Sequence, residues 1–424
     1  MKQAVAKLGG SILGGTRDAA AVLDIIRGYE GPLVAVVSAL KGVTDALAAA
    51  AEGKGPPPGA LIARLKAEHL GFAEALGAPS AALEAASLRI ELILRGLGVL
   101  LGAPRGASDA RRRAEILATG ERLSATCVAL AFAALGRPAP IVEPRELGLV
   151  AADSPSGPRV DVEAAGPSIR AALADLRDAV VPGFYGVDAE GGTVLFGRGG
   201  SDYSAAIVAA GLGASRCDLV KDVSGLLTAD PVIVPGARRV RELSYAEAEA
   251  LARGGAKVLH QLTVEPLREA GIALRIVGRE ASEWETRIGP RLRSSEGARA
   301  IALAPGPAGS ARLTVACSGW AAKSAAAVIG ALEARGVAAR ALSMGPEGAS
   351  FSVIVDGSRG EDGLKIAHEV LFEGGLRAER AYAGAGRAQA GLAEAGLAEA
   401  GRAQAGHAEA GRAQAGLALN PGVA

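Results

Sequence analysis

Short apolar runs alternate with longer stretches of helical periodicity over the first two-thirds of the chain. Residues 4–8 (AVAKL), apolar but for Lys7, and 33–38 (LVAVVS), apolar up to Ser38, have the pattern of strands buried on both faces of a parallel sheet. Residues 19–28, 61–101 and 111–135 carry helical patterns, the last charged early and apolar late, and 53–59 (GKGPPPG) reads as a loop. Further strands are predicted at 179–183, 193–196, 218–221 and 274–277, with helices at 201–212, 245–251 and 264–270. This alternation predicts one α/β domain over residues 1–280, a three-layer α/β/α sandwich with helices on both faces of the sheet.

After a polar connector at 280–298 the order changes. Strands are predicted at 300–304, 313–318, 338–343 and 350–356, with helices at 322–335 and 362–371. The order β-α-β-β-α behind an extra leading strand is that of a small ferredoxin-like α+β module, residues 298–377. From residue 385 the chain repeats in pentads (AGRAQ, AGLAE). A five-residue period matches neither 3.6 nor 2, so residues 383–424 are expected to be a low-complexity, disordered tail.

Composition narrows the class. Half of the 424 residues are apolar, but 59 are glycine and only 3% are aromatic, so alanine and glycine inflate the apolar share. The longest charge-free apolar run near the middle, residues 123–136, falls short of the roughly 20 residues a spanning helix needs. No membrane partner is therefore expected. The start, MKQAVAKLGGS, breaks into glycines before an apolar leader core can form. With 46 basic and 45 acidic residues the net charge is +1, too little to hold nucleic acid. Cys127, Cys217 and Cys317 match no disulfide or zinc spacing, which points to a reduced, cytoplasmic protein, and the four histidines are scattered.

Four polar or glycine-rich clusters fall at predicted strand ends, the edge where open α/β sheets bind ligands. Lys7, Gly9, Gly10 and Ser11 combine a cation with backbone that can approach an anion closely, although a plain glycine turn explains them equally well. Ser38 and Thr44, with Asp45, offer hydroxyls at a strand-to-helix junction, where capping is the commoner use. In Gly197-Arg198-Gly199-Gly200-Ser201-Asp202, an arginine between glycines precedes Ser-Asp at a helix start, a binder for carboxylate or phosphate rather than a structural turn. Lys221, Asp222, Thr228 and Asp230 form a fourth group suited to a nucleotide, and Lys257 is a further candidate cation. Glu121, beside the helix-weakening Gly120, reads on its own as a surface acid.

In order, these blocks resemble the aspartate kinases of the amino acid kinase family. The matching stretches are KLGGS at 7–11, VVSALKGVTD at 36–45, TGERLSA at 119–125, GRGGSDYSAA at 197–206, KDVSGLLTADP at 221–231 and the GAKVLH segment within 244–276. The likeness covers residues 3–277, and residues 298–377 more weakly resemble an ACT regulatory domain. It implies ATP- and Mg²⁺-dependent phosphorylation of the L-aspartate side-chain carboxylate, in amino-acid biosynthesis. By resemblance Lys7 neutralises the transferring phosphoryl group, and Gly9, Gly10 and Ser11 line its path. Ser38, Thr44, Glu121 and Arg198 hold aspartate, with Glu121 facing the ammonium and Arg198 the carboxylate. Gly199, Gly200 and Ser201 contact substrate or phosphate, and Asp202 positions the catalytic lysine. Lys221, Asp222, Thr228, Asp230 and Lys257 form the nucleotide side. A homodimer, paired through the ACT domain, is implied as well.

The chain also departs from the family pattern. Leu8 stands for the usual Phe, and Lys221, Ser224, Leu227 and Val232 replace Thr, Asp, Tyr and Arg in the nucleotide-side block. One ACT-like module is found where two are usual, and its first strand-to-helix turn (SGWAAKSAA, 318–326) lacks the glycine-rich effector loop, which argues against feedback inhibition. The alternatives are a family member with a different acceptor and a catalytically weak homologue.

Overall fold

The computed structural model describes residues 2–104, 109–154, 157–256, 259–279, 284–290, 297–319 and 321–374. Lys257 and the pentad repeats lie outside the described residues. β1 (Ala4–Leu8) and β2 (Leu33–Val37) flank α1 (Ala19–Arg27), and α2 (Val43–Ala51) follows at once. The helical stretch expected at 61–101 is two helices, α3 (Pro58–Ala75) and α4 (Ser80–Gly102). Gly77 between them adopts a left-handed φ of 65°, and Pro79 holds the extended backbone that starts the next helix. α5 (Asp109–Ala134) is the long helix through the core. Its span Ala110–Ala134 is long and apolar enough to cross a membrane, yet 83% of the most apolar window is buried inside the protein.

Next come a ribbon of β3 (Ala151–Ala152) and β4 (Arg159–Val160), then α6 (Val162–Leu173), which encloses Gly166 and Pro167 and carries no clean helical signal in the sequence. β5 (Asp178–Pro182) leads to a second ribbon, β6 (Tyr185–Val187) and β7 (Thr193–Leu195), and to α7 (Gly200–Leu212). β8 (Cys217–Lys221) precedes the short pair β9 (Leu226–Leu227) and β10 (Arg239–Val240). The layer closes with β11 (Glu242–Ser244), α8 (Tyr245–Arg253), α9 (Gln261–Glu269), β12 (Leu274–Gly278) and β13 (Thr286–Gly289). β13 falls in the stretch the sequence pattern gives as a connector.

The main sheet runs β11-β13-β12-β8-β1-β2-β5. β12, β8, β1, β2 and β5 are parallel neighbours, and β13 runs antiparallel to β12. Alternate side chains feed two cores. Val5, Val34, Val36, Val181 and Leu219 pack with residues of α6 to α9, whereas Ala4, Ala6, Leu8, Leu33 and Val37 pack with α1 to α5. The expected α/β/α sandwich is this arrangement. Strand order turns back at β1, with β2 and β5 added on one side and β8 and β12 on the other, so the C-terminal tips of β1 and its neighbours frame a crevice.

A second module follows: β14 (Gly297–Pro305), β15 (Ser310–Ser318), α10 (Ala321–Ala334), β16 (Ala341–Met344), β17 (Ser350–Asp356), α11 (Gly360–His368) and a last helical turn, Glu369–Glu373. Its antiparallel sheet runs β14-β15-β17-β16. The module packs closely on the end of α8, where a Cβ on Gly254 would stand 2.5 Å from Thr314 Cβ. Its core also takes in Ala229 and Val234 from the excursion between β9 and β10.

Candidate active site

Lys7 lies on the face of β1 that carries Val5, the face covered by α7, and so meets the first turn of that helix. Its Nζ is 2.8 Å from Asp202 Oδ1, and Lys221 Nζ, at the tip of the neighbouring β8, is 2.8 Å from Oδ2. One buried carboxylate thus bridges two ammonium groups at the strand tips. Burial opposes the Asp202 charge, but Lys7 and then Lys221 outweigh it and hold the carboxyl at about 2. Burial also pushes Lys221 below the ordinary lysine value, against the pull of Asp202.

Glycine keeps the backbone close around this pair. A Cβ on Gly9 would stand 2.8 Å from Lys7 Nζ. The loop after β1 is a tight turn, in which Ile12 and Leu13 both donate N–H to the Gly9 carbonyl, and α1 begins at Ala19, where the helical pattern at 19–28 places it. Ser11 sits half-buried in that turn. Gly199 caps α7 with a left-handed φ of 74°, and a Cβ there would meet the His260 ring at 2.5 Å. Gly200 is packed against Phe196 and Phe184, and Ser201 is buried beneath Gly183. Phe184 itself holds a positive φ of 76°, its N–H donated to Ser204 Oγ at 3.1 Å.

The other wall comes from α5 and the turn after β2. Glu121, which reads in sequence as a surface acid, is buried, at 2% exposure. Its Oε1 accepts the Ala39 N–H at 3.1 Å, while Oε2 is buried without a hydrogen-bond partner among the described residues. Burial raises the Glu121 carboxyl to about 8, although the Ala39 hydrogen bond and the Lys7 charge pull it down. Gly120 lets α5 come this close, since its Cβ would stand 2.8 Å from Ala39 Cβ. Ser124 Oγ donates to the Ser38 carbonyl at 2.6 Å and ties the same two elements. Capping, the commoner use of hydroxyls at this junction, is not what Ser38 and Thr44 do. α2 is capped by Gly42 at φ 83° with no side-chain bond, which leaves both hydroxyls available.

Lys7, Gly9, Gly10, Ser38, Glu121, Gly199, Gly200, Ser201, Asp202 and Lys221 therefore come to one crevice. Arg198 stands exposed at the tip of the 197–199 turn, with no ion pair among the described residues, and Asp222 is exposed just beyond Lys221. Asp230 lies farther off, on a cleft of about 900 Å³ between the two modules, its Oδ1 accepting the Val232 N–H. Thr228 departs from the nucleotide role expected of it. It is buried, and its hydroxyl is engaged by the Arg238 N–H and by His368 of the second module. His260 went unnoticed in the sequence, where no histidine is counted among the clusters. It caps α9, packs against Gly199, and its ring is shifted below the ordinary value by burial, with Asp202 and Lys221 both acting on it. Its place in the GAKVLH block was the available signal.

Among known proteins, the amino acid kinase family profile matches residues 2–278. The chain is similar to the aspartokinase of Rickettsia prowazekii (strain Madrid E), 43% identical over 98 residues, 23% of this chain and 22% of that protein. It is also similar to lysine-sensitive aspartokinase 3 of Escherichia coli (strain K12), 48% identical over 87 residues, 20% of this chain and 19% of that one. The matched stretch thus spans about a fifth of these relatives' length. In three dimensions, E. coli aspartokinase III in complex with aspartate and ADP (R-state) shares the fold at a TM-score of 0.74 and 22% identity, over 88% of this chain and 100% of that one. Clostridium acetobutylicum aspartate kinase does so at 0.65 and 20%, over 88% and 100%.

Proposed function

The chain belongs to the amino acid kinase family, and from that premise we propose that it transfers the γ-phosphoryl group of ATP to the side-chain carboxylate of L-aspartate, giving 4-phospho-L-aspartate. Glu121 carries the reading: a buried carboxyl with one oxygen unpartnered, beside the crevice that Lys7 and Lys221 line. A group so placed suits a cationic partner from outside the protein, and the ammonium of an α-amino acid supplies it. Arg198, exposed and unpaired, suits the α-carboxylate, and the Ser38 and Thr44 hydroxyls suit the remaining polar atoms.

The substrate carboxylate is already ionised at neutral pH and attacks without a general base. An oxygen–phosphorus bond forms, the bond from phosphorus to the β-phosphate oxygen breaks, and ADP leaves with that electron pair. Such transfers depend on positioning and fixed charge. Asp202 supplies the positioning here by holding two ammonium groups at the strand tips, with Lys7 on the acceptor side and Lys221 toward the nucleotide. A Cβ on Gly9 would crowd Lys7 Nζ, so glycine there keeps the ammonium clear for a phosphoryl group. Asp222 and Lys257 would complete the nucleotide side. Mg²⁺, bound with the nucleotide, would neutralise phosphate charge. We read the second module as ACT-like and the active species as a homodimer.

The test is ADP release from Mg-ATP with L-aspartate, L-glutamate or N-acetyl-L-aspartate as acceptor. Turnover is expected with aspartate and not with the N-acetyl compound, which lacks the ammonium that Glu121 would hold; equal rates with both would refute the assignment.

A further inference from the structure

The segment between β9 and β10 leaves the kinase layer, enters the second module and returns. At the kinase end, Leu226 N–H is held by Thr286 Oγ1 at 2.7 Å. At the other end, Ala229 and Val234 lie in the core of the second module, and Ile301 of β14 donates its N–H to the Thr228 carbonyl at 2.7 Å. Between them the Thr228 hydroxyl reaches His368, the last residue of α11.

His368 is fully buried, with Nε2 2.8 Å from Thr228 Oγ1 and Nδ1 3.1 Å from Glu373 Oε1. Thr228 Oγ1 also accepts the Arg238 N–H at 2.8 Å. One proton arrangement satisfies every group. Arg238 N–H donates to the Thr228 oxygen, Thr228 O–H donates to Nε2, and Nδ1–H donates to the Glu373 carboxylate; this assigns the Nδ1–H tautomer from the network. The hydrogen-bonded chain is buried at Thr228 and His368 and reaches the surface at Glu373, and its buried links rigidify what they join. It joins α11 of the second module to the residue that follows β9, at the far end of the segment that Lys221 begins.

We infer that His368 is a positioning residue for the nucleotide side of the site. Gripping Thr228 from the second module fixes the far end of the 221–228 segment, whose near end carries Lys221 in its pair with Asp202. The inference rests on the kinase reading above. It also explains why a threonine expected on the nucleotide is turned into the protein instead.

The full chain is tested in four forms: wild type, His368→Ala, His368→Gln and Thr228→Val. Two readouts are taken, the Kd of Mg-AMP-PNP by calorimetry and the separate KM values for ATP and aspartate. His368→Ala should raise the AMP-PNP Kd and the ATP KM roughly five- to tenfold, the loss of one buried hydrogen bond, while kcat and the aspartate KM stay within about twofold. Thr228→Val should do the same, and combining the two should add little. His368→Gln, whose amide oxygen can accept the Thr228 hydroxyl, should recover most of the loss. Should His368→Ala fail to fold, Thr228→Val and His368→Gln carry the test. An unchanged Kd, or a fall in kcat and both substrates' affinities together without rescue by glutamine, overturns the inference alone. Wild type that binds no AMP-PNP overturns the kinase reading and this inference with it.

Discussion

Glu121 and Asp202 are both buried carboxyls within one crevice, yet their surroundings drive them in opposite directions. Asp202 is held at about 2 by two lysines, so its stabilising contribution is complete above the unfolded value of 3.8 and is lost only as pH falls through 2. Replacing it with asparagine strands two ammonium groups at the strand tips. Asp202→Asn should lower kcat/KM by at least about a hundredfold and lower Tm, measured by steady-state kinetics and thermal melts. Glu121 is raised to about 8, so between 4.5 and 8 the native state keeps a proton that the unfolded chain has released. Stability attributable to Glu121 therefore falls as pH rises through that window. Glu121→Gln should accordingly have a higher Tm than wild type at pH 8.5 while losing aspartate binding; equal melting temperatures there would contradict the buried, unpaired carboxyl. In wild type the aspartate KM should drop as pH rises toward 8, because the ionised form is the one that pairs with an ammonium. Arg198→Ala should raise the aspartate KM about tenfold or more, and an unchanged KM would remove it as the carboxylate clamp.

Between elements, the decisive features are close approaches, and these were only partly legible in the sequence. The glycine clusters announce themselves, because few structural turns need glycine at 197, 199 and 200 together. β2 was equally plain as an unbroken apolar run, and the other strands of the parallel sheet as short, mostly apolar stretches. What stayed hidden depends on packing across the fold. Gly120 looked like a weak point in a helix and is the contact that lets α5 lie on the turn after β2. Glu121 looked like a surface acid because periodicity in a helix as apolar as α5 does not say which polar residue faces a crevice. α6 hid behind Gly166 and Pro167, and β13 behind its polar surroundings, because it is the sheet neighbour that makes it a strand. An exposed helical glycine changed to alanine would gain about 1 kcal/mol. Gly120→Ala should instead lose about 1–3 kcal/mol in urea unfolding, since its Cβ meets Ala39, Val43 and Leu47. A stabilised variant would mean that α5 sits farther from that turn.

Across the whole molecule, the two modules share material rather than merely touching. Ala229 and Val234 belong by chain order to the kinase layer and by packing to the core of the second module. Neither can unfold alone without exposing part of the other's interior. Calorimetry should show one transition for both, and two well-separated transitions would contradict the shared core. The proposed reaction is a phosphoryl transfer in which Glu121 and Arg198 would fix the acceptor and Lys7 and Lys221 would meet its charge. The most direct measurement is trapping of the acyl phosphate with hydroxylamine during turnover of Mg-ATP and L-aspartate. Aspartyl hydroxamate should form in step with ADP release, with both lost in Lys7→Ala. ADP release without hydroxamate, or no response to aspartate in folded protein that binds Mg-ATP, would contradict the proposed reaction.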